Sequence, residues 1–102
     1  MANLSMVLFR DGQSESADAA SAIVREIVRS GGDRYSLIEA DVHERSAFAA
    51  RYNVRTTPTI LLMKSGAVVD RIVGTPTTSL VQTLLDARMV HATGGESRPK
   101  AS

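Results

Sequence analysis

Apolar residues in this chain fall into short dense runs and into longer stretches spaced three or four apart. The first dense run, Leu4 to Phe9, reads as a buried strand. Arg10 to Ser16 is polar, contains Gly12, and reads as a loop. Beyond it Ala20, Ile23, Val24, Ile27 and Val28 recur at i, i+3, i+4, i+7 and i+8, which predicts a helix with one apolar face. Ser14 or Ser16 supplies an N-cap, while Glu15 and Asp18 suit the positive end of the helix dipole. Gly31-Gly32 supplies the stop.

Tyr35 to Val42 reads as a second strand, and a strand–helix–strand unit of this length implies a parallel pair with a right-handed crossover. Glu39 and Asp41 alternate there with Ile38, Ala40 and Val42, which predicts that both carboxylates point out of the sheet edge. A short helix over Glu44 to Tyr52 offers Ala47, Phe48 and Ala50 for burial, and Thr56-Thr57-Pro58 interrupts the pattern. Thr59 to Met63 and Ala67 to Val73 read as strands, made antiparallel by the tight turn Lys64-Ser65-Gly66. Gly74-Thr75-Pro76 ends the sheet, and Thr77 caps a last helix carrying Leu80, Val81, Leu84 and Leu85. From about Met89 the periodicity stops, so 1–88 is expected to form one domain and 89–102 a disordered tail. The order β-α-β-α-β-β-α predicts an α/β fold with a four-stranded mixed sheet and helices on both faces.

Composition narrows the chemistry. The 102 residues include only four aromatic ones, Phe9, Tyr35, Phe48 and Tyr52, so the core is expected to be aliphatic. A net charge of +1 with no long basic run argues against nucleic-acid binding, and no apolar run is long enough to cross a membrane. Met1 to Met6 has no secretory character, so the expected location is the cytoplasm. There is no cysteine, which removes disulfides, thiolate metal sites and cysteine nucleophiles together. Neither Ser14 nor Ser16 has a His or Lys nearby in sequence to activate it, and His43 and His91 are isolated. No catalytic residue, metal or cofactor is therefore expected.

The segments Ala40-Asp41-Val42, Ala50 through Thr59 (Ala-Arg-Tyr-Asn-Val-Arg-Thr-Thr-Pro-Thr), Lys64-Ser65-Gly66 and Arg71-Ile72-Val73-Gly74 together resemble the thioredoxin superfamily. The resemblance covers about Val7 to Asp86, and the chain lacks the counterpart of the family's first strand and helix. It implies that the Thr57–Pro58 bond is cis. It also implies that the two redox-cysteine positions fall at Ser14 and Ala17, the buried acid at Leu8, and the flanking tryptophans at Arg10 and Gln13. A serine cannot exchange disulfides and an alanine cannot resolve one. Loss of the acid and the tryptophans as well points to a naturally redox-inactive member. A thioredoxin with its cysteines lost or mutated is the alternative within the same family.

By the same resemblance, Gln13, Ser14, Glu15, Thr57, Pro58 and Gly74 would line a groove for a protein or peptide partner, since backbone next to a cis-proline can pair with an extended chain. Unpaired strand edges leave a second copy as another partner. A secondary resemblance, to the circadian-clock protein KaiB and the KaiB-like sensor domain of its partner kinase, rests on Leu8-Phe9-Arg10-Asp11-Gly12, Asp41-Val42 and Thr56-Thr57-Pro58-Thr59. It implies a regulator of a KaiC-type ATPase. The Lys64-Ser65-Gly66 hairpin follows the thioredoxin pattern instead.

Overall fold

The computed structural model describes residues 4–12 and 14–92. Its elements in chain order are β1 (Leu4–Arg10), α1 (Glu15–Gly31), a single 3-10 turn (Gly32–Arg34), β2 (Tyr35–Asp41), α2 (Ser46–Arg51), β3 (Thr59–Lys64), β4 (Ala67–Val73) and α3 (Thr78–Ala92). The sheet order is β2-β1-β3-β4, with β1 and β2 parallel and the other neighbours antiparallel. This is the expected four-stranded mixed sheet.

The pleat sends alternate residues of β1 to opposite faces. Leu4, Met6 and Leu8 join Ala20, Val24 and Ile27 of α1, Ile60, Leu62 and Ile72 of the sheet, and Val81 and Leu85 of α3. Val7 and Phe9 join Leu61, Ala40 and Ala49 of α2 on the other face. Leu4, Leu8, Leu62 and Leu85 are fully buried, each contributing about 1.5–3 kcal/mol of hydrophobic stabilisation. The two-residue turn Ser65-Gly66, with φ of 53° and 83°, has the left-handed pair that joins twisted antiparallel strands without splaying them.

Three expectations are corrected. Glu39 does not point out of the sheet edge. It lies under α1, where it accepts hydrogen bonds from Ser21 (2.9 Å) and Arg25 (2.6 Å). The second helix is shorter than Glu44 to Tyr52, and Ala49 is its buried residue while Ala47 and Ala50 are exposed. The reason is local. Asp41 Oδ1 accepts from the His43 and Glu44 amides, and the Arg45 amide donates to the Asp41 carbonyl, so residues 42–45 are held in a turn before the helix starts. Lastly, α3 runs to Ala92, past the Met89 boundary; the rest of the expected tail, 93–102, lies outside the described residues.

Candidate functional site

The register brings four segments to one end of the sheet. Phe9 pairs with Thr59, Thr59 with Val73, and Arg10 with Asp41. The segments that follow Arg10, Asp41 and Val73 and the one that leads into Thr59 therefore all lie at the same rim. It is built from the C-terminal ends of β1, β2 and β4 and the start of β3.

On one side of the rim Ser14 caps α1. Its backbone is extended (φ −140°, ψ 160°) and its hydroxyl accepts from the Ala17 amide at 3.2 Å. Ser14 and Glu15 are exposed, whereas Ala17 faces the core with 1% of its surface accessible. Of the two serines considered for the cap, Ser14 is the one that serves. Gln13 lies outside the described residues. The cap leaves the Ser14 side chain occupied with a backbone amide, and no base contacts it among the described residues.

Further along the rim, the Thr57–Pro58 peptide is cis, Pro58 is buried and Thr57 half-buried. The Gly74 amide donates to the Pro58 carbonyl (2.8 Å), and the Thr59 hydroxyl donates to the Thr56 carbonyl (2.7 Å). Gly74 can follow β4 here because its φ of +93° is open to glycine. Thr57, Pro58 and Gly74 are thus brought together. Among the described residues, neither the N–H nor the C=O of Thr57 has a hydrogen-bond partner. Val73, on the same face of the sheet as Thr59, is the most exposed large apolar residue described, at 62%. No hydrogen bond among the described residues links Ser14 or Glu15 to the 57–58 loop, and all of these positions lie on the same rim of the sheet.

Sequence reasoning missed a third feature. An open depression of about 650 Å³ lies between α1 and β2, lined by Arg10, Asp18, Ser21, Arg25 and Asp41 among others. Arg10, with only 15% of its side chain exposed, donates from Nε to the Gly12 carbonyl (3.0 Å), from Nη1 to Ser21 (2.6 Å) and from Nη2 to Asp18 (2.7 Å). Its Nη1 also lies 3.5 Å from Glu39. Burial pushes the Glu39 carboxyl upward, but the hydrogen bonds from Arg25 and Ser21 outweigh it and leave the group below the ordinary carboxylate range. Asp41 is likewise held low, by amide donation from His43, Gly12 and Glu44. Every nitrogen of the Arg10 guanidinium already has a protein partner, so this network is a clamp fastening α1 to the ends of β1 and β2. The signal for it was present: Asp18 and Ser21 sit one helical turn apart on the face of α1 that looks toward β2.

Among the described residues no cluster of His, Asp and Glu could hold a metal, and no helix is long and apolar enough to cross a membrane. With no cysteine in the chain, thiol–disulfide exchange has no sulfur to use.

Comparison with known proteins agrees with this geometry. A family model described as thioredoxin matches residues 19–86, about two thirds of the chain, starting after Ser14 and Ala17. The chain is 33% identical over 63 residues to thioredoxin 1 of Synechococcus elongatus, covering 61% of this chain and 59% of that protein. It is 30% identical over 67 residues to thioredoxin of Bacillus subtilis, covering 66% and 64%. It therefore spans less than two thirds of the length of these curated relatives. Among solved structures, thioredoxin-2 of the malaria parasite, described as a component of its protein secretion machinery, superposes with a TM-score of 0.78 at 17% identity, covering 84% of each chain. A mutant thioredoxin from Halobacterium salinarum gives 0.75 at 21% identity, covering 83% of this chain and 74% of that one.

Proposed function

The chain belongs to the thioredoxin family and has no cysteine, and on that footing we propose that it is a binding module that holds an extended segment of a protein partner against the Thr57–Pro58 loop. The observation that carries the reading is the backbone donor and acceptor of Thr57, which have no partner among the described residues. A half-buried residue whose donor and acceptor find no partner among the described residues is an invitation to another chain, because unpaired main-chain groups gain most when a strand-like partner supplies both bonds. The exposed Val73 beside this loop gives such a segment an apolar contact. Ser14 and Glu15 on the same rim would bound the site on the α1 side.

The test is capture of partners from native lysate by the wild-type chain and by Val73→Asp, a change on an exposed side chain that leaves the core intact. Partners held by the wild type and lost by the variant support the reading. A partner set that Val73→Asp leaves unchanged counts against it.

A regulatory role of the KaiB kind is the second reading. It is favoured by the Leu8-to-Gly12 segment, the end of β1 and the residues after it, in which Gly12 takes a φ of +54° and its amide donates to Asp41 (2.9 Å). Absence of binding to a KaiC-type ring ATPase would remove it.

A further inference from the structure

Charge is unevenly shared along this chain. Between Asp11 and Asp41 there are seven carboxylates and three arginines, whereas between Arg45 and Arg71 there are five cations and only Asp70. The fold concentrates the second group. Arg71 donates to the Tyr52 carbonyl (2.5 Å) and the Asn53 carbonyl (3.4 Å). Arg55 donates to the Asn53 side chain (3.1 Å), and the Arg51 guanidinium lies 5.8 Å from the centre of the Tyr52 ring. Three guanidinium groups therefore each contact residue 52 or 53, all on exposed side chains.

None of the three pairs with a carboxylate among the described residues. The ion pairs there belong to Arg10, Arg25, Arg29, His43 and Arg88 instead. Arg71 has work at the end of α2, where it satisfies carbonyls that the helix leaves free. Among the described residues, Arg51 and Arg55 satisfy no backbone group. Neighbouring guanidinium groups without counter-charges raise one another's cost in the free protein and lower it when an anionic partner arrives.

The cluster is continuous with the rim. Arg71 and Val73 are two apart on β4 and so share a face, and Val73 pairs with Thr59, which follows the Thr57–Pro58 loop. A segment paired with Thr57 and resting on Val73 would run on toward Arg71, Arg55 and Arg51. We propose that the partner segment is an acidic extended peptide, whose apolar residue rests on Val73 and whose carboxylates meet Arg51, Arg55 and Arg71. This inference rests on the peptide-binding reading above and specifies the partner's chemistry. Arginine forks are matched to carboxylates by shape as well as by charge, and a rim of this kind sets specificity more than affinity.

The experiment uses the whole chain and three labelled probe peptides of equal length, alternating leucine with glutamate, with serine or with lysine. Affinity is read by fluorescence anisotropy at low and at high salt, and the site by backbone amide NMR shifts. The expected result is a preference of about tenfold for the glutamate peptide over the serine one, weakened by salt, with shifts at 51–58 and 71–74. Arg51→Glu combined with Arg55→Glu should abolish the preference while leaving serine-peptide binding intact. Arg71 is left in place in that variant so that α2 stays capped.

Equal binding of the glutamate and serine peptides overturns this inference and leaves the groove reading standing. Failure of all three to bind overturns both. A single-stranded oligonucleotide bound as tightly as the glutamate peptide, or self-association in sedimentation that the double variant abolishes, would assign the cluster to nucleic acid or to a second copy, and overturns the proposal either way.

Discussion

Arg10 stands where the family resemblance puts a tryptophan, and its chemistry is of a different kind. Its guanidinium donates to Gly12, Asp18 and Ser21 and lies 3.5 Å from Glu39, so truncation removes three hydrogen bonds and one ionic contact at once. Arg10→Ala should cost about 1–3 kcal/mol, measured by urea denaturation, because unmade hydrogen bonds at partly buried groups carry their desolvation cost. A loss below a few tenths would mean that the clamp is only decorative. Acid acts on the same network. Glu39 and Asp41 both have folded-state values below their ordinary ones. Their stabilisation is fully present above the unfolded-state range, about 4 for such carboxyls, and is lost as pH falls through the depressed folded values. The denaturation midpoint should therefore drop on acidification below about pH 4, and Glu39→Gln should shrink that drop. A profile identical in the variant would remove Glu39 from the account.

Among the elements, Gly31-Gly32 reads in sequence simply as a helix stop, but the structure divides the task. Gly32 has a φ of 65° and needs glycine for its backbone. Gly31 has an ordinary φ of −80° and needs glycine for space, since a Cβ there would overlap the Cδ2 and Cε2 atoms of the buried Tyr35 ring. Gly31→Ala should thus destabilise by about 1–3 kcal/mol although alanine is the better helix former, and Tyr35→Leu in the same chain should recover part of the loss. A thermal melt that shows Gly31→Ala to be neutral would contradict the overlap. This division marks what the sequence could disclose. Helix faces, a serine cap at residue 14 or 16, the Lys64–Gly66 hairpin and the succession of elements along the chain were legible because they follow from local periodicity and turn chemistry, whereas the spatial order of the strands was not read from it. The phase of α2 was not, because the Asp41 side chain delays its start. Nor was the burial of Glu39, which depends on Arg10, Ser21 and Arg25 arriving from two other elements.

In the molecule as a whole, the two faces of the sheet are unequally secured. The cluster under α1 and α3 contains twelve buried residues, and the one under α2 contains five. Only six residues form α2, with no side-chain cap at its N-terminus; Arg71 holds its other end, and Phe48 packs in a tilted contact on Phe9 and edge-on against Tyr52. Local opening draws on the weakest contacts first. Amides of α2 should therefore exchange with solvent at a lower free energy than those of β1 and β3, which are bonded on both sides in the middle of the sheet. Hydrogen exchange under native conditions reads this directly, and α2 amides as protected as those of β1 would refute it. The consequence for binding is specific. The loop at 52–58 that carries Thr57 and Arg55 joins this loosely held helix to the firmly held β3. A peptide that pairs with Thr57 would tie the free end of α2 to the sheet, so its binding should raise the protection of α2 amides while leaving that of β1 and β3 unchanged. The partner would then complete the weaker half of the core, a role that a scaffold freed from sulfur chemistry can take without any change in the arrangement of its strands.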